Sequence, residues 1–93
     1  MLSLDQIKNA IISLKSKYDL KHVDVFGSYA AGSATDESDL DLLVEFETDS
    51  VSLFLQNALK YELEMALGIH VDVVHAPIPI ESIIQINNTL RIV

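Results

Sequence analysis

Residues 27–42 read GSYAAGSATDESDLDL and join two short runs that are typical of β-strands. The run before them is VDVF at 23–26, and the run after them begins LDLLVEF at 40–46. Both runs are rich in β-branched, aromatic and large aliphatic side chains. The connection carries a Gly-Ser pair at its start and an Asp-x-Asp unit at its end, so the fold and the function depend on how it is built.

The Gly-Ser pair predicts a sharp turn followed by a short helix. Gly27 stands where the strand must turn, a position that favours positive φ and lets another group approach the backbone. We predict that Ser28 is the N-cap of a helix over residues 29–31 and that Gly32 ends it. The first N–H groups of such a helix point outward at the positive end of a small dipole, which suits a phosphate.

The Asp-x-Asp unit predicts a cation site. Asp39 and Asp41 share one face of the second strand because alternate side chains in a strand point to the same side. Two carboxylates on one face repel each other unless a cation lies between them. Mg²⁺ takes one or two carboxylates and completes its shell with phosphate oxygens and water. The opposite face of this strand would carry Leu40, Leu42, Val44 and Phe46.

A third acid follows much later, in the strand-like run HVDVV at residues 70–74. Alternation places Asp72 on the face opposite Val71 and Val73. If both strands belong to one sheet whose aliphatic faces meet the helices, Asp72 emerges on the side of Asp39 and Asp41. Three acids can hold two metal ions, one orienting a triphosphate and one lowering the pKa of an attacking hydroxyl.

Two other readings of the connection fail on particular residues. A Walker P-loop has the glycine spacing of Gly27 and Gly32 but needs a lysine next, where this chain has Ser33. An EF-hand needs further oxygen ligands and a glycine after the first acids, where this chain has the strand residues 42–44.

The combined pattern resembles the DNA polymerase β type nucleotidyltransferase superfamily and, by its length, the minimal nucleotidyltransferases (MNT). The residues that carry the resemblance are Gly27-Ser28, Ala30, Gly32, Ser38-Asp39-x-Asp41-Leu42 and Asp72. The resemblance covers nearly the whole chain. It implies the nucleotidyltransferase fold, an α/β architecture of the α+β type in which a small mixed β-sheet is flanked by helices.

The resemblance also implies a role for each motif residue. Nucleotide contacts fall on Gly27, Ser28 and Ser38. Catalysis and metal binding fall on Asp39, Asp41 and Asp72, with Asp72 also helping to activate the acceptor hydroxyl. The implied reaction is the Mg²⁺-dependent transfer of AMP from ATP, with two metal ions in the site.

One departure from the family motif leaves alternatives open. The motif reads Gly-Ser-x-Ala-Arg-Gly, and this chain has Ala31 in place of the arginine, so a bidentate phosphate donor is lost. MNT proteins are commonly paired with HEPN toxins and neutralise them by AMP transfer to a tyrosine, which implies a HEPN-type partner and an antitoxin role. The first alternative is a catalytically silent antitoxin that occludes its partner. The second is transfer to a small molecule such as an aminoglycoside.

Composition limits the number of domains, the kinds of partner and the kinds of site that the chain can have. The 93 residues predict one minimal domain over 1–93, and 49% of them are hydrophobic, which favours a protein partner or an oligomer, either homomeric or heteromeric. The net charge of −8, with six Lys and Arg residues, argues against nucleic acid as the acceptor. Cysteine is absent, which excludes disulfides and thiolate metal sites.

The remaining patterns predict the order of elements and the compartment. No signal-peptide layout occurs at the start and no apolar run reaches the ~20 residues of a membrane helix, so we expect a cytoplasmic protein without a membrane partner. A capping box of Ser3 and Gln6 opens the first helix. The other predicted elements are strands at 22–26, 39–46 and 69–74, a helix at 51–67 capped from 48–50 and closed by Gly68, a short helix near 80–86 and an edge strand at 90–93.

Overall fold

The computed structural model describes residues 2–48, 51–75 and 89–93. Their elements in chain order are α1 (Leu4–Lys15), β1 (Leu20–Phe26), α2 (Ser28–Ala31), β2 (Leu40–Phe46), α3 (Leu53–Leu67), β3 (Val71–His75) and β4 (Leu90–Arg91). The order matches the prediction at every described element. The short helix predicted near residues 80–86 lies outside the described residues.

The described strands form one mixed sheet in the order β3-β2-β1-β4. Strands β1 and β2 are antiparallel, β2 and β3 are parallel, and β4 is antiparallel to β1. Helix α3 makes the crossover that the parallel pair requires. The predicted fold class, a small mixed sheet with flanking helices, is therefore confirmed.

Local capping sets where the two long helices begin. Ser3 Oγ accepts the Gln6 N–H at 3.1 Å while Gln6 Oε1 accepts the Ser3 N–H at 2.8 Å, so the predicted capping box opens α1. Helix α3 begins later than predicted, because its N-cap is Ser52, whose Oγ accepts the Leu55 N–H at 3.0 Å. Gly68 ends α3 with a φ of 73°, as predicted.

The core lies between the helices and one face of the sheet. On the side of α1 it includes Ile7 and Ile11, and on the side of α3 it includes Leu59 and Leu63; all four are at most 1% exposed. The alternate residues predicted to face inward on β2 are all buried: Leu40, Leu42, Val44 and Phe46. Because side chains alternate, the acids of β2 lie on the other face of the sheet.

Helix α3 carries more apolar surface than the sheet covers. Leu53, Phe54, Tyr61 and Met65 are 75%, 85%, 63% and 70% exposed. The hydrophobic composition favoured a protein partner or an oligomer, and within the described residues this face of α3 is open. Among the helices the structure describes, none is long and apolar enough to cross a lipid bilayer.

Candidate active site

Gly27 forms the turn between β1 and α2 and lies directly against an acid of β2. Its φ and ψ are 73° and −147°, a conformation that L side chains rarely adopt. A Cβ added at Gly27 would lie 2.5 Å from Asp41 Oδ2, closer than real Cβ atoms approach other atoms. Both predictions for this glycine, positive φ and close approach by another group, are confirmed.

The start of α2 differs from the prediction by one residue. The N-cap is Gly27 and not Ser28, which is the first helical residue, and no side-chain hydrogen bond caps the helix. The Gly27 carbonyl accepts the Ala31 N–H at 3.0 Å and so makes the first hydrogen bond of the helix. The helix therefore starts one residue earlier than predicted. The Ser28 hydroxyl is consequently not used as a cap. Gly32 ends the helix in the left-handed conformation with φ 76°, as predicted.

Ser38 takes part in the loop that leads into β2. Its Oγ accepts the Thr35 N–H at 2.8 Å, and its own N–H donates to the Thr35 carbonyl at 3.0 Å. These bonds close a turn immediately before Asp39. The nucleotide contact assigned to Ser38 stays a prediction, while its local role is to shape the approach to Asp39.

The acids of β2 and β3 come together on the face of the sheet that is opposite the core. Asp41 and Asp72 are direct partners in the parallel pair, so their side chains point to the same side, as the sequence predicted for Asp72. Asp39 precedes Asp41 by two residues and is exposed. Burial raises the pKa of Asp41, and the charges of Asp72 and Asp39 and a hydrogen bond to the Asp72 carboxyl raise it further.

The residues present fit a hard divalent cation. Asp41 and Asp72 offer carboxylate oxygens, which Mg²⁺ prefers, and a cation between them would relieve the repulsion of their charges. In the described part of the chain, no three His, Asp or Glu side chains are already arranged around a common metal position. Binding of one metal ion by all three acids would therefore require their side chains to move.

A further acid on the same face is already paired. Asp24 of β1 lies two residues before Phe26, the partner of Asp41, and Arg91 of β4 donates to its two oxygens at 3.0 and 3.4 Å. This ion pair was not predicted from the sequence, because it depends on β4 lying beside β1. None of the salt bridges between described residues involves Asp39, Asp41 or Asp72.

Comparison with known proteins agrees with this geometry. The profile of the nucleotidyltransferase domain family matches residues 4–92. The protein adenylyltransferase MntA of Thermococcus cleftensis is 37% identical over 78 residues, which cover 80% of this chain and 78% of that protein. A candidate protein adenylyltransferase of Methanocaldococcus jannaschii is 43% identical over 72 residues, covering 77% of this chain and 76% of the relative.

Solved structures give the same result for the fold. A toxin–antitoxin crystal structure with AMP-PNP has a TM-score of 0.78 and 26% identity, over 92% of this chain and 72% of that chain. The structure of a candidate minimal nucleotidyltransferase has a TM-score of 0.67 and 40% identity, over 82% and 84% of the two chains. The family match over almost the whole chain, together with these likenesses, shows that the chain belongs to the nucleotidyltransferase domain family and is an enzyme of the minimal nucleotidyltransferase type.

Proposed function

We propose that residues 1–93 form a single minimal nucleotidyltransferase domain that transfers AMP from ATP to a tyrosine hydroxyl of a HEPN-type toxin, with Mg²⁺, and thereby acts as its antitoxin. The observation that carries the proposal is the pairing of Asp41 with Asp72 beside the Gly27 turn. It brings an acidic cluster next to the helix start that suits the phosphates of a nucleotide.

The metal ligands in this proposal are Asp39, Asp41 and Asp72. A bound Mg²⁺ pair would screen the phosphate charge and lower the pKa of the attacking hydroxyl. Asp41 supports this assignment because it is crowded by two other acids and has no cation of its own among the described residues. Because Gly27 has no Cβ, the Asp41 carboxylate has room to lie beside the turn.

In the proposed reaction, the tyrosine oxygen attacks the α-phosphorus of ATP in line with the bond to the β-phosphate. That bond breaks as the new one forms, so AMP ends on the tyrosine and pyrophosphate leaves. Asp72 is exposed and receives the hydroxyl proton. The backbone of Gly27 and Ser28, at the start of α2, would face the pyrophosphate charge.

Several observations support a protein acceptor. The relative MntA is named a protein adenylyltransferase, and the structure with AMP-PNP is a toxin–antitoxin complex. A further structure with the same fold, at 22% identity and a TM-score of 0.72, is an MNT antitoxin in complex with the tri-AMPylated HEPN toxin of Shewanella oneidensis. In this chain, the exposed apolar side chains of α3 and the net charge of −8 suit a protein surface better than nucleic acid.

One residue favours a second candidate function, in which the protein is a silent antitoxin that occludes its partner. Ala31 lies at the end of α2, exposed, where the family motif has an arginine. Without that guanidinium, the phosphates lose a bidentate donor near the Gly27 turn. The silent antitoxin would bind the same partner through the same surface but transfer nothing.

Transfer of a labelled α-phosphate separates the two functions. The purified protein is incubated with Mg²⁺ and ATP labelled at the α-phosphate in a lysate of its own organism, beside the Asp41→Asn variant. Glu47→Gln is the matched control, because Glu47 is an exposed acid just beyond β2. We expect one labelled protein band with the wild type and with Glu47→Gln, and none with Asp41→Asn.

The band itself then identifies the acceptor, and peptide mass spectrometry locates the AMP on a tyrosine. Recovery of a stable complex without label in any sample would instead support the occluding antitoxin. Label on a small molecule, formed by the isolated chain, would overturn the protein acceptor.

A further inference from the structure

The strand that carries Asp72 is at the edge of the sheet. Among the described residues, β3 has β2 as its sole strand neighbour. The His70 carbonyl accepts the Leu40 N–H at 2.9 Å on the β2 side. Because successive residues of a strand direct their backbone groups to opposite sides, Val71 and Val73 direct theirs away from the sheet. Backbone groups at such an edge need other partners.

Helix α3 supplies these partners through two polar side chains. Glu64 Oε2 accepts the Val71 N–H at 3.0 Å, and Gln56 Nε2 donates to the Val73 carbonyl at 3.0 Å. The two contacts fall on the residues immediately before and after Asp72. The Glu64 bond is charge-assisted, which makes it the stronger of the two.

A second contact holds Glu64 in place. His70 Nδ1 lies 3.4 Å from the same Oε2 atom, while the His70 side chain itself is 88% exposed. The backbone N–H of Val71 is the main cause that lowers the pKa of Glu64, so this carboxylate stays ionised and keeps its acceptor role at neutral pH.

We propose that Gln56 and Glu64 are positioning residues that hold the β3 backbone on both sides of Asp72 and thereby keep its carboxyl opposite Asp41. The inference rests on the proposed function and deepens it. A five-residue edge strand bonded on one side would open locally at little cost. The side chains of α3 take the place of the missing neighbour, so α3 sets the spacing of the two acids.

The test measures metal binding at a temperature where every variant is folded. The double variant Gln56→Met and Glu64→Met removes both contacts at nearly constant side-chain volume. Glu64→Gln keeps an oxygen that can accept the Val71 N–H, and Asn57→Met makes a matched change at an exposed position of α3. The measurement is a calorimetric titration of Mn²⁺ into protein with AMP-PNP, beside the melting temperature of each variant.

We expect the double variant to bind Mn²⁺ about tenfold more weakly than the wild type, the effect typical of residues that support metal ligands. The single variant Glu64→Gln, which keeps an acceptor for the Val71 N–H, should bind Mn²⁺ nearly as tightly as the wild type. Asn57→Met should leave the Mn²⁺ affinity unchanged. Equal Mn²⁺ affinity in the double variant and the wild type, with only a lower melting temperature, would overturn the proposal. Should the double variant not fold, Gln56→Met alone is compared with the wild type by the same criterion.

A wild type that binds neither Mn²⁺ nor AMP-PNP would refute the proposed function instead. The positioning role is then decided in the free protein by residual dipolar couplings of the amides at residues 71–73. A changed orientation of these amides in the double variant supports the role, and unchanged couplings overturn it.

Discussion

Asp41 of β2 and Asp72 of β3 are direct partners across the parallel strand pair, and burial together with the charge of Asp72 raises the pKa of the Asp41 carboxyl. Two ionised carboxylates on neighbouring strands repel each other. Folding therefore places two carboxylates close together, and either a proton or a cation must reduce their repulsion. This local loss of stability occurs at the place where the chemistry would take place. The first prediction follows from the direction of the Asp41 pKa.

The contribution of Asp41 to the stability of the metal-free protein falls as the pH rises. The folded-state pKa of Asp41 lies above its ordinary value of 3.8, so the folded state binds more protons than the unfolded state in the interval between the two values. This contribution is fully present below 3.8 and is lost as the pH rises through the raised pKa. Urea denaturation of the wild type and of Asp41→Asn in EDTA at a series of pH values measures it as the difference between their slopes, and saturating Mg²⁺ should remove that difference.

The Asp41→Asn variant provides the control for that slope. Asparagine carries no charge, so the variant should be more stable than the wild type in EDTA at neutral pH by a few degrees in Tm, and Mg²⁺ should not stabilise it further. A variant with the same pH slope and the same response to Mg²⁺ as the wild type would show that Asp41 is not under electrostatic strain.

Gly27→Ala should abolish AMP transfer, whereas Gly32→Ala should preserve it. Both glycines have positive φ, so alanine strains the backbone at each, at a cost of about 1–3 kcal/mol. The added Cβ meets Asp41 Oδ2 at Gly27 but has nothing within 4 Å at Gly32. Urea denaturation of both variants measures the backbone strain that they share. Label transfer measures the effect of displacing the Asp41 carboxylate, which is expected in Gly27→Ala alone. Equal activity losses in the two variants would contradict this explanation.

Asp24→Asn should leave metal binding intact although Asp24 is on the same face as the catalytic acids. Its carboxylate is bound by Arg91, with an Nε–Oδ1 distance of 3.0 Å. Loss of this partly exposed pair should lower the stability only slightly and loosen β4. Thermal unfolding with and without Mg²⁺ provides the measurement. A Mg²⁺ response lost in Asp24→Asn but kept in Asp41→Asn would reverse the assignment of the metal ligands.

Tyr18→Phe should destabilise the protein by about 1 kcal/mol and change its behaviour at alkaline pH. The buried Tyr18 hydroxyl donates to the Glu62 carboxylate, which also accepts from Lys17 at 2.8 Å. Burial and this hydrogen bond raise the pKa of Tyr18 from 10.0 to about 12. Tyrosine therefore ionises first in the unfolded state, and wild-type stability should fall from pH 10 upward. Chemical denaturation of the phenylalanine variant should lack this fall.

The sequence predicted those parts of the fold that depend on local pattern. Alternation in β2 placed Asp41 opposite the buried face, and the glycine at position 27 predicted the turn. The error at Ser28 arose because capping preference is a statistical signal, whereas the strained turn at Gly27 decides where the helix starts. The start of α3 was missed for a related reason, since several residues near it were suitable caps.

The register of β3 against β2 was not predictable in the same way. Alternation fixes the face of Asp72, but a slip of two residues would keep that face and place Asp72 opposite Asp39 or Leu43. The contacts of Gln56 and Glu64 with β3 were also beyond sequence reasoning. Polar residues on a helix usually indicate a solvated face, and only the position of α3 beside the sheet edge gives them backbone partners.

The most direct test of the proposed metal and nucleotide site is an anomalous difference map from crystals grown with Mn²⁺ and AMP-PNP. We expect Mn²⁺ peaks in contact with Asp39, Asp41 and Asp72, the α-phosphate beside them, and the terminal phosphates at the backbone of Gly27 and Ser28. Nucleotide and Mn²⁺ bound elsewhere on the chain, or nucleotide bound with no Mn²⁺ at these acids, would contradict it.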